Sequence, residues 1–154
     1  MNFIYSHDSV FLSIEHDSNS VETIQFTSPQ SPMQASSYGV FITEQLNAYF
    51  TGKLKNFDIK FRYRGSPFRQ DVLRAIADIH YGSTVSYKEL AERAGHPGAY
   101  RAAGTVCQSN DIVLVIPCHR VIKSNGDTGR FGAGPSLKKR LLEWEKHNTP
   151  FSMQ

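Results

Sequence analysis

Between residues 62 and 147 no apolar period runs far before a breaker stops it, which limits this half of the chain to short helices around loops. Ser66-Pro67 reads as an N-cap with proline at the first helical position, where a missing N–H does no harm. Phe68, Val72, Ile76 and Ile79 follow on one face. Ser86-Tyr87-Lys88-Glu89 fits a capping box and opens a helix through Leu90 and Ala91 that stops at Gly95. Pro97 marks the expected start of the next helix, running through Arg101 and Ala102 to about Cys107. Two short helices across a tight glycine turn fit a helix-turn-helix, and they fit an ordinary αα corner equally well. Ile112–Ile116 reads as a buried strand, and Pro135–Lys146 as a last helix carrying Leu137, Leu141, Leu142 and Trp144.

The first half has a different rhythm. Within residues 2–27, FIY, VFLSI and VETIQF are short β-strands between polar turns, and Ser28-Pro29-Gln30-Ser31-Pro32 closes the section. Phe41, Ile42, Leu46, Tyr49 and Phe50 have helical spacing over Tyr38–Phe50, ended by Gly52. Phe57–Phe61 alternates like a strand. The expected fold class is α+β. A small sheet-and-helix domain spans residues 1–61, and a mostly helical domain spans 62–154.

The 154 residues are 40% hydrophobic and 12% aromatic, enough for a packed interior rather than disorder. No apolar run reaches membrane-spanning length, and Met1-Asn2-Phe3 does not begin a signal peptide, so no membrane partner is expected. Two cysteines make no disulfide framework and point to a reducing, cytoplasmic setting. The net charge of +3 is compatible with a polyanion but weak by itself. Its placement says more: the first sixty residues carry few Lys and Arg, and residues 60–146 hold most of them.

One of the two cysteines sits in Ile116-Pro117-Cys118-His119-Arg120-Val121. A thiol attacks as its thiolate, so a reactive Cys118 needs something that lowers its pKa or accepts its proton. His119 is adjacent, but neighbours on an extended chain point opposite ways, which makes a bridging water an alternative to direct contact. An imidazole base works better with a carboxylate to orient it, and Glu143 and Glu145 on the last helix are candidates. Cys107 reads as packing. No Cys-x-x-Cys or His-x-x-x-His pair occurs, so neither metal nor cofactor is expected. Asn110 reads as a helix C-cap. Gly126, Gly129, Gly132 and Gly134 make either a plain surface loop or one that closely approaches a flat ligand. Gly98, Ala99, Ala102, Ala103 and Gly104 around Arg101 suit tight helix packing, or a slim face entering a narrow groove.

These residues together resemble the O6-alkylguanine-DNA alkyltransferases, which repair DNA by direct reversal. Pro117-Cys118-His119-Arg120-Val121 is similar to that family's active-site signature, and Tyr81–Tyr87 to the segment entering its helix-turn-helix. Arg101 falls where the family has an intercalating arginine, Asn110 precedes the cysteine by the family's spacing, and Leu141–Glu145 places Glu145 at its relay glutamate. The likeness covers about residues 62–147. Residues 1–61 resemble the family's variable, ribonuclease H-like N-terminal domain only in length and strand content.

The resemblance implies that Cys118 accepts the alkyl group, His119 takes its proton through a water, Glu145 orients His119 and Asn110 braces the hinge before the cysteine. Tyr87 would act on the target phosphate and donate to the base. Arg101 would fill the gap left by the extruded base, with Ser86, Ala99, Ala102 and Gly104 on the same DNA face. The Val121 carbonyl, Thr128, Phe131 and Gly132 would line the guanine pocket. The implied partner is double-stranded DNA containing O6-alkylguanine, bound in the minor groove by a monomer, with cooperative assembly on DNA left open. Three residues depart from the family's pattern: Asp111 replaces a proline, Ala133 replaces a glycine, and Tyr100 is bulkier than usual. The zinc ligands that some members carry in their N-terminal domain have no evident counterpart. A lesion-binding protein without transfer and a cysteine hydrolase are the other function classes these residues allow.

Overall fold

The structure is a computed structural model that describes residues 1–31, 35–129 and 131–148. Strands β1 (Asn2–His7), β2 (Val10–His16) and β3 (Val21–Phe26) form an antiparallel meander, with Phe3 opposite Ile14 and Tyr5 opposite Leu12. Alternation decides its buried face: Phe3, Tyr5, Val10, Leu12, Ile14, Val21 and Ile24 point inward. Helix α1 (Ser37–Phe50) covers that face with Ile42, Leu46, Tyr49 and Phe50; its N-cap Ser36 accepts from Gly39 N–H. Residues 28–31 form the irregular segment that the prolines and serines imply, while Pro32 lies outside the described residues.

Helix α2 (Pro67–Ala77) starts where expected, with Ser66 Oγ accepting from Arg69 N–H at 3.2 Å. Helix α3 (Tyr87–Arg93) is capped by Ser86, whose Oγ accepts from Glu89 N–H at 3.0 Å, and Glu89 itself pairs with Arg93. Helix α4 (Tyr100–Gln108) and helix α5 (Pro135–His147) complete the helical half. Side chains of both halves share one hydrophobic core.

Four features differ from what the sequence leads one to expect. Helix α4 begins at Tyr100 rather than Pro97, because Pro97 and Gly98 form a turn with Gly98 at φ +88°. Phe57–Phe61 makes no strand; only Phe61 bridges to Val21. The apolar run Ile112–Ile116 is not a strand either. It doubles back through Leu114 at φ +71°, with Ile116 N–H donating to the Ile112 carbonyl at 3.0 Å. The run is apolar because its turn is buried, a case that hydrophobicity alone cannot tell from a strand. The fourth is a pair of two-residue parallel strands, β4 (Val85–Ser86) and β5 (Val121–Ile122), too short to leave a period in the sequence.

The edge of β3 carries the consequence that matters for the site. Ile24 N–H donates to the Asp111 carbonyl at 2.8 Å, and Val113 N–H donates to the Ile24 carbonyl at 2.9 Å. The turn leading to Cys118 thus occupies the edge that β3 would otherwise leave unpaired.

Candidate active site

Cys118, His119 and Arg120 form a single 3-10 turn rather than an extended strand end. Cys118 N–H donates to the Ile116 carbonyl at 2.8 Å and Arg120 N–H to that of Pro117 at 2.9 Å. Successive residues of such a turn point about 120° apart, so the thiol and the imidazole leave in different directions. Cys118 faces a cleft, and His119 points into the protein.

Asn110 fixes the approach to this turn. Its Nδ2 donates to the Ile116 carbonyl at 2.8 Å, and its Oδ1 accepts from Ile112 N–H at 3.0 Å, both bonds buried. One side chain therefore ties the two ends of the turn between α4 and the cysteine. The helix C-cap is Ser109 instead. Asp111, where the family pattern has proline, adds fastenings that proline lacks: its carboxylate meets Gln25 Nε2 at 3.4 Å and Arg69 Nη2 at 3.8 Å.

Behind the turn, Glu145 of α5 sits at 2% exposure and His119 at 0%. His119 Nε2 lies 2.8 Å from Glu145 Oε2. Arg120 grips the same carboxylate twice, Nε to Oε1 at 2.8 Å and Nη2 to Oε2 at 3.0 Å, and its Nη1 donates to the Ile79 carbonyl. Tyr49 of α1 donates its hydroxyl to Oε2 at 2.6 Å. Burial would raise the Glu145 pKa, but His119 and the hydrogen bonds from His119 and Arg120 outweigh it and hold the carboxyl well below the usual range. A carboxylate only accepts, so Nε2 of His119 carries the hydrogen and Nδ1 keeps its lone pair. That Nδ1 is buried with no protein partner among the described residues. Burial, only partly opposed by Glu145, lowers the His119 pKa and keeps the ring neutral. Glu143, the other candidate carboxylate, faces solvent 3.7 Å from His147.

Cys118 forms part of the wall of a cleft of about 570 Å³ between the N-terminal sheet, at Val10 and Phe26, and the Phe131–Ala133 loop. Phe131 and Gly132 thus line the same cleft as the thiol, while Thr128 does not. Burial raises the Cys118 pKa; a hydrogen bond from Asn110 and the charge of Lys138 pull against it. The resting group is a thiol that needs a base. Cys107 packs as expected, yet it also lines the cleft, and burial pushes its pKa up to about 12. Lys138, at 1% exposure, donates from Nζ to the Val121 carbonyl at 2.6 Å and lies 5.7 Å from the centre of the Tyr87 ring. The carbonyl expected in a guanine pocket therefore already holds one cationic donor.

A second, shallower depression of about 230 Å³ gathers Tyr87, Arg101, Gly104 and Gly129 with Tyr100 and Lys123. Arg101 and Ala102 are exposed on α4, whereas the Ser86 hydroxyl is occupied as a cap. Gln108 lines both depressions, whereas Tyr87 lines this second one and not the Cys118 cleft. Burial, then the two thiols, raises its pKa to about 12, so the phenol stays a donor. A Cβ on Gly129 would stand 3.0 Å from its hydroxyl, so the loop passes there as close as glycine allows. Among the described residues no group of three or more His, Cys, Asp or Glu is placed to hold a metal ion.

Sequence reasoning missed three members of the site. Tyr49 counted as one more apolar position of a helix, and Lys138 drew no reading of its own. Arg120 was visible only as a letter in the motif.

Comparison with known proteins bears on this arrangement directly. The family model described as 6-O-methylguanine DNA methyltransferase, DNA binding domain, matches residues 67–147. A Mycobacterium tuberculosis protein named methylated-DNA–protein-cysteine methyltransferase is 46% identical over 107 residues, covering 70% of this chain and 65% of the relative. A Methanosarcina barkeri protein of the same name is 45% identical over 104 residues, covering 68% and 66%. The matched segment thus spans just under two thirds of these relatives. A crystal structure of Mycobacterium tuberculosis OGT in complex with DNA superposes with TM-score 0.86 at 33% identity, covering 96% of this chain and 93% of that one. The O6-methylguanine-DNA methyltransferase of Pyrococcus kodakaraensis gives TM-score 0.70 at 25% identity, covering 94% and 96%. A family match over more than half of the sequence, agreeing with the motifs around Cys118, establishes that the chain belongs to the 6-O-methylguanine DNA methyltransferase family.

Proposed function

We propose that this chain repairs DNA by moving an alkyl group from O6 of guanine to Cys118, once per molecule. The observation that carries the reading is a cleft-lining thiol on a turn braced by Asn110, next in the chain to a neutral histidine held by a buried carboxylate. The thiol proton passes to Nδ1 of His119 through a bridging water. The sulfur attacks the alkyl carbon in line, the carbon–oxygen bond breaks, and its electron pair goes to the guanine. Tyr87 donates a proton to the departing base and is reprotonated in turn, so the net products are a thioether and guanine. Glu145 orients His119 and stabilises the imidazolium while it exists. Nothing here cleaves a thioether, which makes the reaction stoichiometric.

O6-alkylation spoils pairing with cytosine, so the lesion is cheaper to extrude than an intact base. Arg101, exposed on α4 beside Tyr87, fills the vacated stack, and the small Ala102 and Gly104 let the helix approach the minor groove. Phosphate contacts supply most of the affinity without sequence preference. A reducing, cytoplasmic setting suits two free cysteines. Among the described residues no helix is long and apolar enough to cross a membrane.

The test is intact mass after mixing the protein with duplex DNA containing O6-methylguanine. A gain of one methyl per molecule, mapped to Cys118, is expected; tight binding with unchanged mass overturns the reading. The pH dependence follows from the site. The transfer rate should fall on the acid side as His119 becomes protonated, with a midpoint below the ordinary histidine value of 6.5 because burial disfavours the cation. It should stay level through neutrality, since Tyr87 keeps its proton to about pH 12. Single-turnover rates between pH 5 and 9 check both limbs.

A further inference from the structure

We infer that Tyr49 is a positioning residue of the transfer reaction, through which the N-terminal half takes part in the chemistry. The inference rests on the proposed alkyl transfer and deepens it. Tyr49 stands 96 positions before Glu145 in the sequence, yet its hydroxyl donates to Oε2 at 2.6 Å inside the protein. That oxygen is the one His119 Nε2 touches at 2.8 Å. The hydroxyl therefore acts on the relay atom itself, not on a remote part of the carboxylate.

Its surroundings leave the hydroxyl no other role. The ring is edge-on to Trp144, with centroids 4.7 Å apart, and packs against Phe50, Phe57 and Tyr81. This aromatic cage fixes the ring without any help from the oxygen. A buried hydroxyl is a liability unless it is bonded, and the carboxylate is its partner. Burial and then the charge of Glu145 keep the phenol protonated, so it can only donate here. Oε2 thus receives three donors, from Tyr49, His119 and Arg120, and Oε1 receives Arg120 Nε. Two further titratable groups are coupled to the pair: Tyr81, whose pKa burial and then Glu145 raise, and Lys138, which acts on His119.

Without the Tyr49 hydroxyl, Oε2 holds more of the negative charge. It then draws the His119 proton more strongly and stabilises the imidazolium, so the acid limb of the transfer rate moves to higher pH. The carboxylate also loses the donor that fixes its rotation, and the imidazole loses alignment with the thiol. A hydrogen bond to a charged group is worth enough that its loss should slow transfer roughly three- to tenfold at neutral pH.

The experiment compares the full-length wild type with Tyr49→Phe, Glu145→Gln and the double variant, using single-turnover transfer from O6-methylguanine DNA across pH 5 to 9. Phenylalanine keeps the ring in its cage, and the folded fraction of each variant is set by thermal melting. The Nε2 proton resonance of His119 gives a readout independent of DNA and of activity. Slower transfer, a raised acid limb, a displaced resonance, and no further loss when Tyr49→Phe is added to Glu145→Gln support the inference. An unchanged rate and limb overturn it. So does an equal loss in both backgrounds, which marks a merely structural role. A wild type that gains no methyl overturns the parent reading instead, a result plainly different from an active wild type with an indifferent Tyr49→Phe.

Discussion

Cys118→Ala is expected to abolish alkyl transfer completely while leaving a folded protein that binds O6-methylguanine DNA. Among the described residues, the Cys118 sulfur is the cleft-wall nucleophile next in the chain to the buried His119–Glu145 pair. Cys107 also lines the cleft, but burial holds its pKa near 12, and among the described residues no histidine bonds to it. Removing one sulfur from a residue of 6% exposure opens a small void and leaves the Asn110 bonds to Ile116 and Ile112 in place. Such a change costs about 1–2 kcal/mol, too little to unfold a domain. Cys118→Ser should fail as well, because an alcohol is much harder to deprotonate than a thiol and the neutral imidazole is a weak base. Intact mass together with a gel shift on lesion DNA checks the prediction: binding without methyl gain in both variants. Methyl gain in Cys118→Ala would move the acceptor elsewhere.

Glu145→Ala should damage stability more than any other single substitution in the site. It strips partners from three buried groups at once: His119, Arg120 and Tyr49. The severest consequence falls on Arg120, whose guanidinium, at 5% exposure, keeps among the described residues the Ile79 carbonyl and the Tyr81 ring face, 5.6 Å away. Orphaning one member of a buried ion pair typically costs about 3–5 kcal/mol, which lowers the melting temperature by roughly 6–20 °C in a domain of this size. Glu145→Gln, still able to accept, should lose less. The acid response separates charge from packing. The folded-state pKa of Glu145 lies below its ordinary value of 4.5, so its contribution is present above pH 4.5 and fades as pH falls through the folded value. His119 is also depressed, from 6.5, so the unfolded chain takes up that proton first and stability already declines below pH 6.5. Wild type should show both declines. Glu145→Ala should lack the lower one, as thermal melts from pH 3 to 8 will reveal.

How legible these features are in the sequence depends on how locally each is determined. Ser66-Pro67, Ser86 and the alternating strands are read correctly because a cap or a pleat involves only a few neighbouring residues. Cys118, His119 and Glu145 are legible because their chemistry is uncommon and their spacing matches a known pattern, and the structure brings all three within one site. Tyr49 is not, since helical periodicity scores the ring and is silent about where the hydroxyl points. Lys138 fails for the opposite reason: a lysine reads as solvated, and only the folded chain supplies the carbonyl that lets it be buried. The run from Ile112 to Ile116 misleads because burial makes any backbone shape apolar, and the positive φ at Leu114 has no glycine to advertise it.

The hydrogen bonds between Ile24 and the Asp111–Val113 backbone bear on how freely the two halves can be exchanged. A graft that replaces residues 1–61 with the corresponding part of a relative would have to present a strand edge in the same register, or the turn before the cysteine would lose its seat. It would also have to return an aromatic hydroxyl to the place of Tyr49. Backbone pairing tolerates a change of side chains but not a shift in register. Compatible donors are therefore to be sought by strand length and turn length rather than by percentage identity. The variability that such an N-terminal segment can accept then lies on its outer surface, while the seam along β3 and the last turn of α1 stay as constrained as the cysteine motif itself.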